Sequence, residues 1–195
     1  MISLSPYQKH VADWKDCQRC KLGQCRDKIV LARGQLPCDI LFIGEAPGVS
    51  ENVIGQPFMG PAGHLLDRII KDALTGIDKI LRIAFTNIVA CIPLDSDGDK
   101  VSEPDEEDIK ACRPRLLEFC RIAKPKYIVH VGTLSRKSGV HAQNDIGAEW
   151  MPEDEFIKFT DIKHPAFILR ANIAQKGLLI QTAVVNIRSM LNEPF

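Results

Sequence analysis

The sequence lacks a net charge, a long apolar run and any internal repeat. Its 25 Lys and Arg residues balance 25 Asp and Glu residues, which excludes a global basic field as the basis of nucleic-acid binding but not local patches. No apolar stretch approaches the roughly 18 residues that a membrane-spanning helix needs. The first residues contain no cationic stretch followed by an apolar one, so we expect no signal peptide and a reducing, cytoplasmic environment.

The rest of the composition is that of a globular protein. The chain has 195 residues, of which 45% are hydrophobic and 26% are charged, and this excludes a largely disordered or collagen-like chain. The length predicts a single domain over residues 1–195 with one sizeable core.

Seven cysteines are many for a chain without a predicted secretory signal. Because disulfides are rare in a reducing compartment, clustered cysteines indicate metal or cluster ligands. Cys17 and Cys20 are two residues apart and can converge on one metal centre, while Cys91 and Cys112 lie at the ends of predicted elements. The alternative is that Cys91, Cys112 and Cys120 are small buried hydrophobic residues. Spacing does not separate zinc from an iron–sulfur cluster, since both accept four thiolates.

Apolar patterning predicts strands that alternate with helices. The predicted strands lie within 29–31, 39–43, 83–89, 126–132 and 156–160. The predicted helices span 5–16, 60–73, 104–123 and about 176–191. This alternation predicts an α/β fold with a mostly parallel sheet, in which ligands bind beyond the carboxyl ends of the strands. Gly44–Gly48, Asn87, Gly132 and His164 all lie at or just past predicted strand ends, where they can gather at one edge.

Two glycine-rich motifs follow the first buried strand. GEAPG at 44–48 predicts a sharp turn that exposes backbone N–H groups and holds Glu45 at the sheet edge, although an ordinary β-turn with a solvated carboxylate is the alternative. In GQPFMGPAG at 55–63, Phe58 is either the stacking wall of a flat pocket or part of the core.

Two further motifs carry polar groups. The Asn87 amide offers a donor and an acceptor, which suits the edge of a nucleobase but also suits a turn. His164 precedes a proline and is therefore held extended. Ile168 and Leu169 beside Arg170, on an apparent loop, indicate either a wedge that enters a base stack next to a phosphate or side chains that cover the core.

Charge is unevenly distributed along the chain. Residues 92–110 hold eight acids and two lysines, which indicates a solvated loop followed by the acidic first turn of a helix. Residues 1–36 hold seven Lys or Arg against three acids, and residues 163–195 hold four against one. A DNA-facing surface is expected to draw on these two basic segments.

The ordered set of motifs resembles the family 4 uracil-DNA glycosylases, the iron–sulfur branch of their superfamily. The resemblance rests on C-x2-C-x-L-x3-R at 17–26, GEAPG at 44–48, GQPFMGPAG at 55–63, TN at 86–87, the two later cysteines and HPAFILR at 164–170. It covers roughly residues 10–190 and implies one glycosylase-like domain, a three-layer α/β/α fold with a central four-stranded, mostly parallel sheet. It also implies a structural [4Fe–4S] cluster on Cys17, Cys20, Cys91 and Cys112, with structural zinc as the alternative.

The resemblance also implies roles for the strand-end residues. Gly44, Glu45 and Ala46 would line a uracil pocket, with Phe58 stacked on the base and Asn87 reading its polar edge. The implied catalytic residues are His164, at the base and the breaking bond, and Glu45, which would position water or favour the sugar cation. Leu169 or Ile168 would fill the gap left by the flipped base, with Arg170 on a phosphate. The sequence departs from the family pattern at Asn52, where an acid is usual, at His130, where an aliphatic residue is usual, and in its long acidic insertion.

The expected function is therefore excision of uracil from DNA during base excision repair of deaminated cytosine. The alternative is a superfamily member with little or no excision that binds DNA, or that docks a replication or repair protein through residues 92–110. A third hypothesis is a zinc-stabilised nucleotide-binding protein.

Overall fold

The computed structural model describes residues 3–95, 100–147, 151 and 155–192. Residues 96–99 of the acidic insertion lie outside this part of the chain. None of the helices in the described ranges is long and apolar enough to cross a bilayer.

The centre of the fold is a five-stranded sheet. Its strands are β1 (Arg33–Gly34), β2 (Ile40–Gly44), β3 (Ile83–Asn87), β4 (Tyr127–Val131) and β5 (Lys158–Ile162). Their spatial order is β1-β3-β2-β4-β5, with β2 to β5 parallel and β1 antiparallel to β3. The four predicted parallel strands are confirmed, and the short edge strand β1 is added to them.

The predicted strand at 29–31 is wrong. The Val30 N–H donates to the Ala90 carbonyl at 2.8 Å, and the Leu31 carbonyl accepts from the Thr86 hydroxyl at 2.7 Å. The segment is buried without pairing in the sheet, and Leu31 and Ile29 pack with Trp14 and Ala90 instead.

Helices cover both faces of the sheet. They are α1 (Pro6–Trp14), α2 (Val49–Ile54), α3 (Pro61–Leu74), α4 (Glu106–Ala123), α5 (Thr133–Ser138), α6 (Gln143–Ile146), α7 (Pro165–Arg170) and α8 (Ile173–Asn192), with a single 3-10 turn at Lys21–Gln24. Alternate side chains of each strand point to opposite faces. Leu41 and Ile43 of β2 therefore pack with α4, whereas Ile40 and Phe42 pack with α3 and α8, which gives the predicted three-layer α/β/α arrangement.

Residues 165–170 form the short helix α7 and not the predicted loop. Pro165 occupies its first position, where a missing N–H costs nothing, and the ring of His164 caps it by accepting from the Ala166 N–H. Six residues are too few to show helical periodicity in the sequence.

Candidate functional site

A cleft of about 620 Å³ opens beyond the carboxyl ends of the parallel strands. The predicted site residues that line it are Glu45, Ala46, Phe58, Asn87, His164 and Arg170. They come from the ends of β2, β3 and β5, from the loop between α2 and α3 and from the end of α7, so the parallel sheet brings together residues that are far apart in the sequence. Gly44 lies directly behind the cleft wall.

Gly44 is needed for space. A Cβ atom there would lie 2.3 Å from Oδ1 of Asn87 and 2.5 Å from Cζ of Phe58. Gly63 plays a similar role, because its Cβ would lie 1.9 Å from the Phe58 carbonyl oxygen. The two glycines allow an aromatic ring and an amide to approach the end of β2 together.

The backbone around Phe58 is held by a residue that the sequence analysis did not single out. Glu51 accepts from the N–H groups of Met59 at 2.7 Å and Gly60 at 2.8 Å through Oε1, and from Gly48 at 3.1 Å through Oε2. Phe58 itself has a left-handed backbone, with φ of 58°. Its ring borders both the core and the cleft, so its place in the core is confirmed and its role as a stacking wall stays a prediction.

Glu45 points across the sheet edge towards the start of α5. Its Oε1 accepts from the Leu134 N–H at 2.9 Å, and a Cβ at Gly132 would lie 2.3 Å from the same oxygen. Gly132 also has φ of 101°, a conformation that favours glycine. The carboxylate is therefore fixed in the cleft and is not freely solvated.

The contacts of His164 indicate which of its ring nitrogens carries the proton. Nδ1 accepts from the Ala166 N–H at 3.2 Å, so the neutral ring carries its proton on Nε2. Burial lowers the pKa of His164, an effect that Glu45 opposes and Arg170 reinforces. The ring at neutral pH is thus an uncharged hydrogen-bond donor within the cleft.

The three predicted wedge residues separate in the structure. Ile168 is fully buried in the core that α7 shares with the sheet, so it is not available to enter a base stack. Leu169 on the next position is 40% exposed, and Arg170 lines the cleft. Phe167, which we did not assign, is 52% exposed and lines the cleft as well.

Part of the acidic insertion forms a wall of the cleft. Leu94 and Val101 form an isolated antiparallel bridge, and the Ser102 N–H donates to the Pro93 carbonyl at 2.9 Å. As a result, residues 101–104 border the cleft, which the interpretation as a solvated loop did not anticipate. The acidic first turn of α4 is confirmed.

Asn52 joins the cleft region to the cysteine segment. Its Oδ1 accepts from the Asp27 N–H at 2.9 Å and its Nδ2 donates to the Asp27 carboxylate at 2.8 Å. A carboxylate at position 52 would repel Asp27, so the amide at this position suits its partner.

The four predicted cysteine ligands, Cys17, Cys20, Cys91 and Cys112, line one small cavity, here called the cysteine cavity. The remaining three are elsewhere: Cys25 is exposed, and Cys38 and Cys120 are buried in the core. Burial raises the pKa of the Cys91 thiol to about 11, while Arg26, which donates to Cys91 Sγ at 3.3 Å, opposes that shift.

Arginines line the cysteine cavity together with its thiols. They are Arg19, Arg26 and Arg115, and their positive charges favour an anionic occupant. Among the described residues, no three His, Cys, Asp or Glu side chains form a group that could hold one metal ion.

Comparison with known proteins agrees with this geometry. The profile of the Uracil DNA glycosylase superfamily matches residues 32–185. Proteins named type-4 uracil-DNA glycosylase from Sulfurisphaera tokodaii and Saccharolobus solfataricus are 40% and 37% identical over 121 and 118 residues, which cover 62% and 60% of this chain and 52% and 51% of theirs. One from Thermotoga maritima is 29% identical over 163 residues, 80% of this chain and 79% of its own.

The chain spans about half the length of the first two relatives that it matches. The profile nevertheless covers all five strands of the sheet, because it begins before Arg33 and ends beyond Ile162. The chain therefore belongs to the Uracil DNA glycosylase superfamily.

Proposed function

We propose that this protein is a DNA N-glycosylase that hydrolyses the N-glycosidic bond of deoxyuridine in DNA. The observation that carries the proposal is the convergence of Glu45, Phe58, Asn87 and a neutral His164 in one cleft. The names of its relatives support the same activity.

The cleft has the groups that a pyrimidine needs. The Phe58 ring offers a flat apolar wall, and the Asn87 amide offers one donor and one acceptor for the polar edge of uracil. A base reaches such a cleft only when it is flipped out of the stack or is already single-stranded. Leu169 and Phe167 are the exposed apolar side chains that would fill the space it leaves, with Arg170 against a phosphate.

Bond cleavage sends the electron pair of the C1′–N1 bond to the base and leaves a cationic sugar. The His164 Nε2–H would donate to the uracil oxygen as its negative charge develops, which is stabilisation by a preorganised donor. Because Oε1 of Glu45 is bonded to the Leu134 N–H, Oε2 is the oxygen that would hold the water that adds to C1′ and accept the proton that this water releases. The carboxylate also favours the sugar cation. Since burial lowers the pKa of His164, the neutral form that this step requires persists at pH 7.

The cysteine cavity would hold a [4Fe–4S] cluster through Cys17, Cys20, Cys91 and Cys112. Such a group supplies cross-links between three distant segments of the chain; hydrolysis of a glycosidic bond needs no electron transfer. Structural zinc is the alternative, and iron and zinc analysis of the purified protein separates the two. Residues 92–110 remain a predicted docking surface for a repair or replication protein.

The test is excision under enzyme excess on an end-labelled single-stranded oligonucleotide with one deoxyuridine, read by alkaline cleavage of the abasic product. Wild-type protein is expected to cleave it. His164→Ala is expected to lose at least about a hundredfold in rate, since it removes a donor at the developing charge. His141→Ala is the matched control, because His141 is exposed and does not line the cleft.

Cleavage that His164→Ala leaves unchanged would contradict the role of His164. Binding of the oligonucleotide without cleavage, by protein that carries its iron, would favour the DNA-binding alternative.

A further inference from the structure

Arg115 on α4 has one of the largest fully buried side chains in the protein. Its Nη1 donates to the Thr86 hydroxyl at 2.8 Å, and its Nη2 donates to the carbonyls of Asn87 and, at 3.1 Å, Ile88. All three acceptors belong to the end of β3, and all are uncharged. The guanidinium thus holds the backbone of Asn87, a residue that lines the cleft.

This guanidinium is a buried cation that forms no salt bridge with a carboxylate of the described residues. In the described part of the chain, no carboxylate lies within 4.0 Å of Arg115, and its Nε is buried without a hydrogen-bond partner. A buried charge is strongly unfavourable unless an opposite charge is close to it. An anion near this side chain would therefore stabilise the fold.

The cysteine cavity is where such an anion belongs. Arg115 lines the cavity and follows Cys112 by three residues, so the two lie on the same side of α4. Four thiolates bound to iron form an anionic group, and thiolates accept hydrogen bonds. The same guanidinium thus borders the cysteine cavity and holds the strand end that lines the cleft.

We infer that Arg115 is a positioning residue that couples the two sites: its charge is balanced by the thiolate cluster, and its Nη groups fix the Asn87 backbone so that the amide meets the base. The second half of this inference rests on the proposed function. Lysine is a poor substitute, because only the planar guanidinium can serve several acceptors in a fixed fork.

The first test is cluster retention, which needs no catalytic activity. Arg115→Met keeps the length of the side chain and removes its charge and donors. We expect its visible absorbance to bleach with an iron chelator at least about tenfold faster than that of the wild type, because removing one partner of a buried charge pair is strongly destabilising. Arg121→Met on the same helix, where an exposed arginine donates to the Ile146 carbonyl, is the matched control and is expected to bleach at the wild-type rate.

The second test asks whether Arg115 acts through Asn87. Arg115→Met, Asn87→Ala and the double variant are compared by kcat/KM for uracil excision. Each single variant is expected to lose at least about tenfold. The double variant is expected to lose no more than Asn87→Ala alone, because a residue that acts through another adds nothing once that residue is gone. Asn87→Ala should keep its iron.

Arg115→Lys separates the charge balance at the cysteine cavity from the positioning of Asn87. It also replaces Arg115→Met in these tests if the methionine variant does not fold. We expect Arg115→Lys to retain iron almost as well as the wild type, because its side chain keeps the positive charge. We expect its rate of uracil excision to fall at least about tenfold, because lysine lacks the planar guanidinium that donates to several acceptors. Bleaching as fast as in Arg115→Met would overturn the charge balance. If Arg115→Lys excised uracil at the wild-type rate, or if the losses added up in the double variant, the role of Arg115 in positioning Asn87 would be overturned. A wild-type protein that does not excise uracil refutes the proposed function and leaves the retention result interpretable.

Discussion

The cleft and the cysteine cavity both border the chain that follows β3, yet they are built in opposite ways. The cleft is open, and glycines at 44, 63 and 132 make room for the side chains that line it. The cysteine cavity is much smaller and is lined by thiols and arginines. This difference indicates that the shape of the cleft depends on the space that its glycines leave, whereas the cysteine cavity depends on the charges that line it. One added carbon atom should therefore damage the cleft, and one removed charge should damage the cysteine cavity.

The largest expected effect comes from adding one methyl group to the cleft. Gly44→Ala places a Cβ 2.3 Å from Asn87 Oδ1, so the amide and the Phe58 ring must move apart. We expect uracil excision to fall at least about a hundredfold, as misplacement of binding groups by about 1 Å does, while the iron content stays at the wild-type value.

The control for this substitution is Gly177→Ala on α8, where an added Cβ meets no atom within 4 Å. It should be active and slightly more stable, since alanine is the better helix former. An active Gly44→Ala would show that the cleft is not limited by volume.

The next effect is on the cysteine cavity. Cys112→Ser removes a predicted ligand, and we expect the iron content to fall well below about four per chain and the melting temperature to decrease. Cys120→Ser, on the same helix but in the core, is expected to keep its iron. Equal iron loss in both variants, measured per folded chain, would contradict the ligand assignment.

A third, smaller effect is expected on the free energy of unfolding at acid pH, through a histidine buried in the core. His130 in β4 is buried, with Nε2 2.9 Å from the Val140 carbonyl, and burial lowers its pKa to about 4. Because the unfolded chain binds the proton near pH 6.5 and the folded one only near 4, stability is highest above 6.5 and falls as the pH drops through this range. The loss amounts to about 3 kcal/mol when the pH reaches 4.

Urea unfolding of His130→Leu at pH 7 and pH 5 measures this contribution. Leucine has no such proton, so the variant should show a smaller difference between the two pH values than the wild type. An unchanged difference would place the acid sensitivity at another group, such as His164.

The smallest expected effect is on DNA affinity at the cleft wall. Glu103 is exposed and lines the same cleft as Arg170, the predicted phosphate contact. Glu103→Lys should bind single-stranded DNA a few-fold more tightly and steepen the salt dependence by about one unit. Glu107→Lys, on the exposed first turn of α4, is the matched control. It should change both the affinity for DNA and the salt dependence less than Glu103→Lys does.

Local patterns identified the elements whose signal is repeated along the chain. The buried run of β2 and the apolar face of α3 were predicted within one residue of their observed ends, because strand burial and helical periodicity are properties of a few consecutive residues. The same method misassigned 29–31, since a buried apolar segment looks alike whether it pairs in a sheet or packs beneath one.

The site was predictable in part for the same reason. The cleft residues stand directly at strand ends, and a parallel sheet collects its carboxyl ends at one edge. Glu51 and Arg115 were missed because their partners are distant or lie in the backbone, and neither contact leaves a sequence pattern.

The sequence by itself determined the alternation of strands and helices, the order of the motifs and the candidate ligands, since each is a local property. Only the tertiary structure decided that Ile168 is buried while Leu169 is exposed and that the acidic insertion borders the cleft. It also decided that one arginine both lines the cysteine cavity and bonds to the backbone of a residue in the cleft. Burial and contact depend on the order in which the strands pair, and that order brings together residues such as Arg115 and Asn87, which are 28 positions apart in the chain.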